Sequence, residues 1–133
     1  INQVVFDGTH PPTVQPFPPA STFYRQDLRI PARDVAKARA LLREAGVERP
    51  RVEITITNNP VDAQLGQVIQ AMASEAGFDI QLRSSEFASQ LRDAQQGRFQ
   101  VSRYGWSGRV DPDGNVYPFV HSKGSQNDGK YSN

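Results

Sequence analysis

The sequence has 133 residues, 22% charged and 37% hydrophobic, enough for one domain with a real core but not for two independent ones. A formal net charge of +1 gives no electrostatic reason to expect nucleic acid or an anionic membrane surface as partner. The lack of cysteine excludes disulfides and thiolate metal sites, and no apolar run approaches the roughly 20 residues needed to cross a bilayer.

Ile1 to Phe6 reads as the last turn of a helix, and the chain opens without an initiator Met or a basic-then-apolar leader. The sequence is therefore expected to be an internal stretch of a longer protein. Five prolines between Pro11 and Pro19 bar helix and central strand, because proline lacks the amide donor and holds φ near one value. Phe17, Phe23, Tyr24, Leu28 and Ile30 are interleaved with or follow them. A solvated linker needs no such apolar surface, so residues 1–33 are expected to form an ordered, extended segment laid across a folded body.

Asp34 can cap a helix whose stripe is Val35, Ala38, Leu41, Leu42 and Ala45, with Gly46 as its stop. Val52–Thr57 alternates apolar and polar residues as a strand does. Asn58-Asn59-Pro60 breaks it, and Leu65, Val68, Ile69, Met72, Ala73 and Ala76 follow with helical spacing up to Gly77. Asp79–Ser84 alternates again. Ser85 is expected to cap a third helix carrying Phe87, Leu91 and Ala94 and ending at Gly97, and Phe99–Tyr104 to form a third strand. This order predicts an α/β fold, βαβαβ, with a small, largely parallel sheet flanked by helices over residues 34–104. The strands carry a polar face that buried parallel strands usually lack, so one face is expected to be wet or to be covered by further chain. Residues 105–133 are rich in turn formers and read as loop.

In an open parallel sheet, ligands gather where loops leave the carboxyl ends of the strands. Asn58, Ser84-Ser85-Glu86 and the run from Gly105 to Gly114 would stand there. Gly105 and Gly108 bracket Trp106 and Ser107, so the backbone can turn sharply and approach a ligand. Trp106 offers a flat apolar face with one donor, as a ligand contact or as a packing anchor, and Arg109 can hold a carboxylate in a two-pronged bond. Asp111-Pro112-Asp113-Gly114 is a turn sequence without the further ligands of a calcium loop. His10 and His121 stand far apart and at no metal-ligand spacing. Ser107 lacks the Gly-x-Ser-x-Gly frame of a nucleophile elbow, and Gly105-x-x-Gly108 is too short for a phosphate loop. No catalytic residue, metal site or cofactor is expected.

Four stretches together resemble a known family: Asn2-Gln3-Val4-Val5-Phe6-Asp7-Gly8 before the proline-rich loop; Asp34 to Gly46; Tyr104-Gly105-Trp106-Ser107-Gly108 with Asp111-Pro112-Asp113; and Tyr131-Ser132-Asn133. In this order they resemble the middle of the C-terminal half of family-5 (cluster C) solute-binding proteins of ABC importers, the dipeptide, oligopeptide and nickel binders. The resemblance implies one lobe of a two-lobed, type II periplasmic-binding-protein-like fold, with residues 105–133 lining the cleft. It implies a peptide or peptide-like solute, held by Tyr104, Trp106, Ser107, Gly108, Arg109, Asp111 and Asn58. It implies as partners the N-terminal lobe of the same parent chain and membrane permease subunits, in a periplasmic or lipid-anchored exported protein, with no nucleic acid. In dipeptide and oligopeptide binders an Asp shortly after the Gly-Trp pair holds the α-amino group; here that place is Arg109, and Asp111 matches the following Asp-Pro. The resemblance therefore leaves open an anionic or non-peptide ligand. Two other readings of the residues stand beside it: a regulatory or interaction α/β domain of a cytoplasmic protein, and a docking module using segment 11–24.

Overall fold

The computed structural model describes residues 1–109 and 111–132. Its elements run α1 (Asn2–Val5), α2 (Val35–Glu44), β1 (Arg51–Thr57), α3 (Pro60–Glu75), β2 (Asp79–Ser85), α4 (Phe87–Gln95), β3 (Val101–Arg103), α5 (Pro112–Asn115) and α6 (Tyr117–Val120). The three strands form one parallel sheet in the order β2-β1-β3, with Ile54 opposite Leu82 on one side and Val101 on the other. The predicted α/β class and the helix–strand alternation are both found.

The caps explain most boundaries. The Asp34 carboxylate accepts from the Lys37 amide at 2.8 Å and starts α2; Asn59 accepts from Asp62 at 2.9 Å and starts α3, with Pro60 in the first turn. Gly77 follows α3 at φ 101°, a conformation that costs other residues strain. The third helix departs from expectation. Ser85 is the last residue of β2, and Glu86 caps α4 by accepting from the Ser89 amide at 3.2 Å. The third strand is also shorter than Phe99–Tyr104. At its start the Glu53 amide donates to the side chain of Gln100 at 2.7 Å, which takes the place of a ladder bond. Two helical turns, α5 and α6, stand in the region read as loop.

Alternation on β1 sorts the two faces. Ile54, Ile56 and Ile80 are buried, with Val52, Leu82, Phe78 and the α3 residues Ile69 and Ala73 packed on them. Gly66 lets α3 come close: a Cβ there would lie 3.2 Å from Leu82 Cδ1 and 3.3 Å from Ile56 Cδ1. On the polar face α4 covers Thr55 with polar side chains, while Glu53 and Arg83 beside it stay open to water. Gln90 is 1% exposed. Its amide nitrogen donates to the Thr55 carbonyl at 3.1 Å, Ser102 Oγ at 3.0 Å and the Arg103 carbonyl at 2.8 Å, and its oxygen accepts from Thr57 Oγ1 at 3.1 Å. Beside it Arg83 pairs with Glu53 at 3.2 Å and Asp93 at 3.1 Å. Such satisfaction makes a buried polar face tolerable.

Outside the sheet the packing is thinner. On α2 the predicted stripe is covered only in part, and Leu41 remains 54% exposed. Gln64 of α3 donates to the Val4 carbonyl at 3.2 Å and ties down α1. The proline-rich segment forms a loop closed on itself: the Gln15 side chain donates to the Arg25 carbonyl at 2.8 Å and accepts from the Arg25 amide at 2.9 Å. The Phe17 and Phe23 rings lie 5.8 Å apart within that loop. Between Gln15 and Arg25 the segment thus turns back on itself.

Candidate functional site

All three strands deliver their carboxyl ends to one rim. Thr57 pairs with Ser85 there, and the Asn58 amide extends the pairing by donating to the Ser85 carbonyl at 2.8 Å. Next to them β3 ends at Arg103, opposite Ile56. The Arg103 guanidinium pairs with the Asp62 carboxylate, which is 5% exposed, and so links β3 to the first turn of α3. Burial draws the Arg103 guanidinium below its usual value, yet arginine stays charged under all ordinary conditions. With Gln90 gripping the Arg103 carbonyl, the departure of the next loop is held from two sides.

That loop borders two hollows. The first, about 630 Å³, is lined mainly by Tyr104, Trp106, Phe119, Asp128 and Tyr131. Tyr104 stands edge-on to Phe87 of α4, centroids 6.3 Å apart. Burial, then the nearby Asp128 carboxylate, push the Tyr104 phenol above its usual value. Trp106 is 45% exposed and meets Phe119 edge-on at 4.4 Å and 85°. The second hollow, about 590 Å³, is lined by Phe17, Phe23, Gly108 and Arg109, among others. Pro16 and Asn115 line both.

Asn115 organises the turn. Its oxygen accepts from the Arg109 amide at 2.6 Å, its amide donates to the Arg109 carbonyl, and Trp106 Nε1 lies 3.5 Å from the same oxygen. The stem of Arg109 rests on Gly114, where a Cβ would come within 3.2 Å of it. The Asp111 carboxylate caps α5 by accepting from the Asp113 amide at 2.9 Å.

The sequence-predicted residues therefore separate. Tyr104 and Trp106 share the first hollow, and Gly108 and Arg109 the second. Ser107 is exposed on the turn between them and lines neither. Asn58 stands at the strand rim and Asp111 at the α5 cap, outside both hollows. Sequence reasoning missed Asn115, Phe119, Asp128 and Pro16. The spacing of Val116, Phe119 and Val120 is helical and could have revealed α6; the other three carry no local signal. Among the described residues no helix is long and apolar enough to cross a membrane. The closing Tyr131-Ser132-Asn133 run keeps Tyr131 in the first hollow, while Asn133 lies outside the described residues.

Comparison with known proteins supplies a frame for this rim. The family model for "Bacterial extracellular solute-binding proteins, family 5 Middle" matches residues 1–127. Di/tripeptide-binding protein 4 of Pseudomonas aeruginosa is 33% identical over 124 residues, covering 89% of this chain and 23% of that protein. The dipeptide-binding protein of Escherichia coli is 27% identical over 139 residues, 99% of this chain and 26% of that one. Among solved structures, the ABC transporter-associated periplasmic binding protein DppA of Helicobacter pylori, in complex with the peptide STSA, superposes with a TM-score of 0.86 at 27% identity, covering 99% of this chain and 27% of that chain. The chain thus spans about a quarter of the length of the relatives it matches.

Proposed function

The chain belongs to the family 5 bacterial extracellular solute-binding proteins, and from that premise we propose that it forms part of one lobe of a receptor that captures peptides or peptide-like solutes for an ABC importer. The observation that carries the reading is the turn after β3. It leaves the carboxyl-end rim of the sheet, and Tyr104 and Trp106 on it line a hollow of about 630 Å³. A groove of this size with aromatic walls and few polar groups suits capture of a small solute. On this reading Trp106, Tyr104, Gly108 and Arg109 contact the solute, Ser107 lies between the two hollows, and Asn58 and Asp111 shape the rim.

The remaining parts follow from the same premise. The cleft closes against an N-terminal lobe in the same parent chain, and the closed receptor docks on permease subunits outside the membrane. The protein is exported to the periplasm, free or lipid-anchored, and captures its solute without catalysis or cofactor. Residues 34–104 form the scaffold, 1–33 the arm that flanks it and 105–133 the cleft wall.

The test is titration of the full-length receptor with dipeptide, oligopeptide, glutathione and nickel panels, reading thermal shift and Trp106 emission. Emission is taken as the difference between the natural protein and Trp106→Phe. A peptide is expected to raise Tm and move the Trp106 component. Failure of every peptide to shift Tm would refute peptide capture. An unchanged Trp106 component at saturating ligand would remove Trp106 from the site.

A further inference from the structure

The turn that bears Trp106 has little order of its own. Among the described residues, no backbone group of Gly105 to Gly108 takes part in a hydrogen bond. A Cβ on Gly105 would meet nothing within 4 Å. Two glycines in four residues make such a stretch costly to fix, because glycine has more backbone freedom to lose than any other residue. Order in this turn before a solute arrives has to come from its neighbours.

Those neighbours are α5 and α6. Asn115 ends α5, and Phe119 lies four residues on in α6, the spacing that puts two side chains on one helical face. Both meet Trp106. The Phe119 ring stands edge-on to the indole with centroids 4.4 Å apart, and Asn115 Oδ1 lies 3.5 Å from Trp106 Nε1. The same oxygen accepts from the Arg109 amide at 2.6 Å, and the Asn115 side-chain amide donates to the Arg109 carbonyl. One side chain thus joins the indole to the far end of the turn. This seat is braced in its own right. The Gln126 amide donates to the Pro118 carbonyl at 2.8 Å. Gly124 packs so closely on α6 that a Cβ there would overlap the carbonyls of Tyr117 and Pro118.

Resting on the receptor reading above, we propose that Asn115 is a positioning residue for solute capture: with Phe119 it presets the turn from Trp106 to Arg109 in its binding form, and Gly124 keeps this seat in place. The bonds of Asn115 lie where water reaches them, and such bonds exchange for water at little cost. Asn115 therefore contributes little to folding. A turn ordered in advance spares the solute the cost of ordering it on binding. Asn115 thus sets affinity without setting stability.

The test uses the full-length receptor labelled with fluorotryptophan, with trialanine as the probe. The fluorine NMR line of Trp106 is assigned by its loss in Trp106→Phe. In the free natural receptor this line is expected to be single, and in Asn115→Ala broadened or split. Asn115→Ala is expected to weaken trialanine by about 10-fold in calorimetry, the entropy of ordering about one residue, with Tm within about 2 °C of the natural protein. Asn115→Asp keeps the shared acceptor oxygen and should keep the single line. Gly124→Ala, at a residue that lines neither hollow, should broaden the line and weaken trialanine as Asn115→Ala does. A single, unshifted Trp106 line in free Asn115→Ala overturns the positioning role, whether binding is unchanged or weakened by lost direct contact. Affinity that falls only in step with Tm overturns it as well. If the natural receptor binds neither trialanine nor any peptide of the panel, the receptor reading fails, and the capture role with it, whatever the line shows.

Discussion

Replacing Gln90 by Met keeps nearly the same volume and removes every polar atom of the side chain, so it isolates what the buried amide contributes. Gln90 is 1% exposed and serves Thr55, Thr57, Ser102 and Arg103 at 2.8 to 3.1 Å. Each fully buried group that loses its partner costs about 1–3 kcal/mol. The Thr55 carbonyl lies in a residue only 2% exposed and suffers the full penalty, whereas Thr57, Ser102 and Arg103 are half-buried and regain water. The expected cost is therefore about 2–4 kcal/mol, well below the sum of four separate losses. Against a total stability of about 5–15 kcal/mol this is a large share. In urea unfolding, with a slope of about 1–2 kcal/mol per M, the midpoint should fall by about 1–4 M at unchanged slope. A change of less than about 0.5 kcal/mol would refute the reasoning, since that is what surface substitutions cost.

Further predictions concern the other face and acid stability. Gly66→Val pushes branched carbons into Leu82 and Ile56, which stand 3.2 and 3.3 Å from even a first Cβ; a loss of about 1–3 kcal/mol, read as a lower Tm, is expected. The Arg98 guanidinium, with Arg83 beyond it, holds the Asp93 carboxyl below its usual range. A depressed carboxylate contributes stability that is present above its unfolded pKa of about 4 and is lost as pH falls through the folded value. Stability should therefore be flat down to about pH 4 and decline below it, and Asp93→Asn should make that acid limb shallower in pH-dependent urea melts.

How far the sequence foretells the structure depends on the range of the forces involved. The cap Asp34, the break at Asn58-Asn59-Pro60, the stops Gly46 and Gly77, and the alternation of β1 and β2 act within a few residues, and each element they mark is present. Where a side chain competes with the backbone, the pattern misleads. Glu86 rather than Ser85 reaches the free amides of α4, and Gln100 supplies the acceptor that a longer β3 would have offered. The site is legible in the same partial way. Two glycines around Trp106 announce a turn that approaches something. Nothing near them announces that Asn115, six residues past Arg109, will grip its backbone, or that Pro16 and Asp128 will arrive from opposite ends of the chain.

The division of the sheet bears on function through β3. Apolar packing alone would leave that strand poorly positioned: it is three residues long, and Val101 is 41% exposed. Hydrophobic contact is non-directional and tolerates a slip, whereas a slip of one residue would turn Tyr104 from one side of the sheet to the other. The polar face removes that freedom. Gln90 donates to Ser102 and to the Arg103 carbonyl, and the Arg103 guanidinium finds the buried Asp62. These directional bonds are satisfied in one register only, which is a better-attested role for buried polar groups than added stability. The polar residues that seemed out of place on a parallel strand thus aim the turn bearing Trp106 and Arg109. It follows that Gln90→Met should disturb ligand binding beyond its cost in stability, by loosening the register of β3 rather than by touching the solute.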